Sequence, residues 1–120
     1  PIKLFSDVHF TPVNAVSIAE YIVSLTAIGK CGVYNAATSK RISKYEFGIA
    51  LAHRFGLDVG LIIPDKIQKR EKLVNRPLDM SLDNQKLSLD LGGGKVTLEK
   101  EMDRLFYDEH SVWCREVKVK

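Results

Sequence analysis

The chain is poor in cysteine: two among 120 residues, Cys31 and Cys114. Neither has a CxxC partner, which argues against zinc and thioredoxin-like chemistry. Two cysteines do not make a disulfide scaffold either. Cys31 opens an apolar run and is expected to be a buried free thiol, with Cys114 near the tail. No stretch of 18 apolar residues occurs, so no membrane span is expected. The pattern of a signal peptide is also missing, and the cytoplasm is the expected compartment. Charge of one sign is never concentrated. Eighteen Lys and Arg stand against fifteen Asp and Glu, a net of +3, with no basic block interleaved with aromatics. That argues against a nucleic-acid partner and leaves a small polyanion such as a nucleoside diphosphate compatible.

Chemical motifs are equally sparse. No dinucleotide fingerprint of spaced glycines between a strand and a helix occurs. Gly92-Gly93-Gly94 lacks that spacing, and Gly94-Lys95 runs into Val96, so it is no P-loop. It reads as plain loop. His9, His53 and His110 show no metal-ligand spacing. Asp7 with His9 reads as a solvated polar pair, and Asp108-Glu109 as a charged helix end.

What is present is enough apolar residue, 45%, for one domain spanning residues 1–120. Lys3-Leu4-Phe5 is a short strand or loop. Asn14 can cap a helix over residues 15–26, with Ala15, Ile18, Ala19, Ile22 and Leu25 on one face. Residues 32–37 form an apolar run that predicts a buried strand of a parallel sheet. Ser43 and Glu46 make a capping box for the next helix, Ile42 and Phe47 occupy the staple positions, and Gly56 supplies a left-handed stop. Val59 to Ile63 predicts a second extended run, stopped by Pro64. Residues 65–75 are charged. Asp83 can cap a short helix carrying Leu87 and Leu91. Thr97 caps the last helix, where Leu98, Met102, Leu105 and Phe106 share a face. Glu99 and Glu101 suit its positive end. The tail from Ser111, with Val117-Lys118-Val119-Lys120, alternates like an exposed strand or is frayed. Strands set between helices predict α/β layering. One or two strands make no stable sheet alone, so the chain is expected to pack on something else.

Arg76 is the strongest binding candidate. Its guanidinium is planar, permanently charged and bidentate, which suits a diphosphate. Pro77 restricts its backbone. The residue has two possible roles: contact with a ligand, or an ion pair with Asp79 or Asp83 that ties the loop to the helix.

Four segments in order carry a resemblance. They are Asp7-Val8-His9-Phe10-Thr11-Pro12, then Gly32-Val33-Tyr34-Asn35, then Ser43-Lys44-Tyr45-Glu46-Phe47. The last is Arg76-Pro77 followed by Leu82, Asp83, Lys86 and Leu87. Together they resemble the C-terminal, substrate-binding part of extended short-chain dehydrogenase/reductases, above all the dTDP-4-dehydrorhamnose reductases. Val8, Phe10 and Val13 depart from that family's glutamine, glycine and threonine. The resemblance implies an α/β fragment: the last Rossmann strand and helices plus a small C-terminal lobe, with the NAD(P)-binding N-terminal part absent.

The resemblance also implies a function. The complete protein would reduce a 4-keto sugar nucleotide with NAD(P)H, a tyrosine supplying the proton. The residues facing substrate would be Arg76 and Asp83. The family's Tyr-x-x-x-Lys dyad is missing, because Leu25, Thr38, Ile49 and Ser111 follow the four tyrosines at that distance. No catalytic, cofactor-binding or metal-binding residue is therefore expected in these 120 residues, and no cofactor bound by this chain alone. The expected partners are a nucleotide-sugar and the missing Rossmann part. Two alternatives remain: a non-catalytic regulatory or interaction module of the same fold, self-associating through an exposed apolar face, or a sugar-nucleotide epimerase or dehydratase.

Overall fold

The computed structural model describes residues 1–67 and 77–110. The charged segment 68–75, Arg76, Cys114 and the tail from Ser111 lie outside the described residues. In chain order the elements are β1 (Ile2–Phe5), β2 (His9–Phe10), α1 (Ala15–Ala27), β3 (Ile42–Ser43) and α2 (Lys44–Phe55). A 3-10 turn (Val59–Leu61), β4 (Ile62–Asp65), β5 (Asp79–Met80), α3 (Gln85–Asp90) and α4 (Leu98–His110) follow. The architecture is mixed α/β. β1 and β4 pair in parallel, Ile2 opposite Ile62. A separate three-stranded sheet has the order β3-β2-β5, antiparallel on one side of β2 and parallel on the other.

The helices form where their caps lie. Asn14 accepts a hydrogen bond from the Val16 N–H at 2.8 Å and starts α1. Ser43 and Glu46 close the reciprocal box at the head of α2, at 3.1 and 2.8 Å. Gly56 ends that helix at φ 65°, a conformation that glycine adopts without penalty. α2 then lies against the β1-β4 pair. Gly48 permits the approach, since a β-carbon there would fall 2.2 Å from Leu4 Cδ1. On its other side α2 meets α4, where Phe55 and Phe106 pack edge to face with centroids 5.3 Å apart.

Three expectations need correction. Residues 32–37 form no strand: Val33 is 85% exposed, and only Ala37 in that run is buried. Apolar composition selects a strand only when another strand lies alongside, and among the described residues none does. Cys31 is exposed rather than buried, because the run it opens is itself uncovered. Pro64 does not stop the second extended run but sits inside β4, opposite Leu4. A two-stranded sheet consists of edge strands, where a missing N–H is tolerated. The core is thin. Among the described residues its buried apolar members are Val8, Ala37, Ala52, Leu87 and Met102. α1 leaves much of its apolar surface bare, with Ile22 60% and Val23 68% exposed.

Candidate functional site

The short three-stranded sheet brings distant segments together. His9 on β2 lies opposite Ser43 on β3 and Asp79 on β5. Segment 7–12, the capping box and the stretch after Pro77 therefore meet at one place. Their side chains interlock there. Phe10 packs edge to face on Phe47 at 5.4 Å, and the Lys44 ammonium stands 3.5 Å above the Phe10 ring. The Thr11 hydroxyl accepts from the Leu82 N–H at 3.1 Å. Asp79 accepts from the Ser81 hydroxyl and N–H and pairs with Arg41. The Ser81 bonds, with help from Arg41, pull the Asp79 carboxyl down to about 2. The Ser43 N–H and hydroxyl likewise hold Glu46 below the ordinary carboxylate range.

Beside this sheet opens a cleft of about 600 Å³. Lys40, Arg41 and Lys95 line it, together with Glu46 and Glu99. Glu46 is committed to its helix cap and Arg41 to Asp79. The chemistry on offer is electrostatic, with cations suited to an anionic group. Sequence reading passes over Lys40, Arg41 and Lys95, because only the fold brings residues 39–42 beside 95–99, through the Ser39 N–H to Val96 carbonyl bond of 2.8 Å. The available signal was the Lys40-Arg41 dipeptide directly ahead of the capping box.

The two predicted substrate residues fare differently. Arg76 lies outside the described residues. Asp83 is exposed at the head of α3, where its carboxylate accepts from the Gln85 N–H at 2.8 Å. The expected cap is displaced by one residue: the N-cap position is Asn84, which makes no side-chain cap hydrogen bond, and Asp83 reaches the first helical N–H from the residue before it. The Asn84 amide turns inward instead, donating to the Ala37 carbonyl at 2.7 Å. Asp90, at the far end of α3, takes a hydrogen bond from Tyr34 and pairs with Lys30. The bond to Asp90 raises the Tyr34 pKa.

The first two glycines of the 92–94 triplet follow directly on the end of α3. Gly92 and Gly93, at φ 94° and 78°, close the end of α3, with the Gly93 N–H donating to the Ser88 carbonyl at 2.7 Å. Those donors serve a preceding helix, and none is presented to a phosphate at the start of a following one. Among the described residues no three His, Cys, Asp or Glu gather as metal ligands, and no helix is long and apolar enough to cross a membrane.

The fold is an α/β unit with a cleft in which Lys40, Arg41 and Lys95 stand beside Glu46 and Glu99. It is the fold of a portion of the dTDP-4-dehydrorhamnose reductases. The chain superposes on the enzyme from Bacillus anthracis, solved in complex with NADP, with a TM-score of 0.76 and 18% identity, covering 89% of this chain and 38% of that one. For the Clostridium acetobutylicum enzyme the TM-score is 0.71 at 22% identity, over 88% of this chain and 39% of that one. In sequence the chain is 26% identical over 104 residues to a probable low-salt glycan biosynthesis reductase of Haloferax volcanii. That match takes in 87% of this chain and 35% of the relative. No family model matches. The chain thus spans little more than a third of the length of these relatives.

Proposed function

We propose that this chain is the sugar-nucleotide side of an NAD(P)-dependent reductase, forming one wall of the cleft that holds a keto-sugar nucleotide. The observation that carries this reading is the meeting of segments 7–12, 42–47 and 77–83 on one small sheet, in a fold shared with reductases of that type. The cations of the adjoining cleft support an anionic substrate. Arg76 is assigned to the diphosphate and Asp83 to a sugar hydroxyl, which its exposed carboxylate can accept. The cofactor is assigned to the portion of the polypeptide beyond these 120 residues, in keeping with the glycines described above.

Calorimetric titration of dTDP-glucose into the complete polypeptide tests this. Arg76→Ala is expected to weaken binding by about tenfold or more, the loss typical of a charge-assisted hydrogen-bond pair, with an unchanged circular dichroism spectrum. Equal affinity in the variant and the parent would remove Arg76 from the site. No binding by the parent would remove the reading itself.

A further inference from the structure

Among the described residues Glu101 is the one buried charged side chain. It lines an apolar pocket of about 270 Å³ between the start of α1 and the side of α4. Val13, Phe47, Leu98, Met102 and Leu105 form the walls. The Asn14 N–H donates to Glu101 Oε2 at 2.7 Å, and the Ser17 hydroxyl spans both oxygens at 2.8 and 3.1 Å. Two protons thus serve a carboxylate that has about four acceptor sites. The neighbouring cations are engaged with other acids. Arg54 pairs with Asp103. Arg104 holds Glu20 at 2.6 Å and meets Glu101 across the Ser17 hydroxyl, 3.4 Å from its Nη1. Among the described residues no ion pair is made by Glu101 itself.

We propose that this pocket binds a small organic ammonium, an amine carried on an apolar body, with the Glu101 carboxylate as its counter-ion. Three observations favour this occupant. A buried carboxylate is costly unless an opposite charge stands beside it, and its direct partners here are N–H and O–H dipoles. The walls are apolar, which suits a hydrocarbon body behind the charge. Finally, the size fits. An apolar cavity of about 150 Å³ takes benzene, so 270 Å³ has room for a ring with a short aminomethyl arm. An anion would meet the like charge of Glu101 at close range, and a neutral ligand would leave that charge unpaired. This site is independent of the keto-sugar nucleotide assigned above.

Calorimetric titration of benzylamine, protonated at neutral pH, into the complete polypeptide tests the site, with benzyl alcohol as the neutral control. The ammonium is expected to bind about tenfold or more tightly than the alcohol, the ratio typical of a charge-assisted hydrogen bond. Glu101→Gln keeps the shape and an acceptor for the Asn14 N–H, and is expected to erase that ratio. Ala15→Leu, at an exposed position that lines the pocket, is expected to abolish binding of both ligands by filling it. No binding of benzylamine by the parent would overturn the proposal. So would equal affinity for the two ligands, or a preference that survives Glu101→Gln. Should Glu101→Gln unfold the chain, Ala15→Leu decides: undiminished benzylamine binding there would place the amine elsewhere and overturn the pocket. Benzylamine binding without dTDP-glucose binding would sink the functional reading alone; the reverse would sink the pocket alone.

Discussion

At the scale of single residues, hydrogen bonds to carboxylates and caps dominate. Asp79 is held at about 2 against an ordinary 3.8. A carboxyl lowered in the folded state stabilises it fully above the unfolded value, and that contribution fades as pH falls through the folded one. The contribution of Asp79 is therefore present at pH 5 and lost between about pH 4 and 2. Asp79→Asn is expected to flatten the acid limb of a stability–pH profile in that window; a limb of unchanged slope would show that the Ser81 and Arg41 contacts do not persist in solution. Ser43→Ala removes the acceptor for the Glu46 N–H and is expected to cost about 1 kcal/mol in urea denaturation. Glu101 is the residue that sequence alone undervalues. As an acid in the first turn of α4 it suits the helix dipole, but the fold gives it a further task. It is buried and accepts from the Asn14 N–H at 2.7 Å and the Ser17 hydroxyl at 2.8 Å. Glu101→Ala strands both donors and is expected to cost about 1–3 kcal/mol, read in the same titration.

At the scale of elements, legibility follows the range of the forces involved. Helix α2 can be read from sequence because its box, Ser43 and Glu46, and its stop, Gly56, lie within the helix or next to it. The same holds for Asn14 ahead of α1 and Thr97 ahead of α4. Strands β2, β3 and β5 have two residues each, too short for any periodicity, and they exist through partners far away in sequence. Residues 32–37 show the converse. Their composition is that of a strand, but a strand is defined by its neighbour, and the described residues supply the side chains of Asn84 and Lys86, at the head of α3, instead. Of the candidate site, Asp83 is readable as a cap, while the juxtaposition of Arg41 with Asp79 belongs to sheet register and has no local signal. The packing of α2 offers a test at this scale. Gly48 faces Leu4 and Ile62, and Gly48→Val is expected to push the helix off the β1-β4 pair at a cost of about 1–3 kcal/mol. An unchanged urea midpoint would mean that Leu4 simply swings aside.

At the scale of the whole molecule, the described residues bury a small apolar core and leave Ile22, Val23 and Val33 exposed. On the functional reading proposed here, the native gene product is expected to run well above 13.5 kDa on an immunoblot, with upstream peptides carrying the glycine fingerprint and the Tyr-x-x-x-Lys pair. A product of 13.5 kDa would leave a binding or regulatory module in its place. The parallel pairing of β1 with β4 carries a consequence for synthesis. Ser6 and Asp65, which close the end of that pair, are 59 residues apart in the chain. A ribosome adds about 5–20 residues each second, so β1 leaves the exit tunnel roughly 3–12 s before its partner. During that interval Ile2, Leu4 and Phe5 have no β4 to pair with, and the parallel sheet forms only after both strands have emerged.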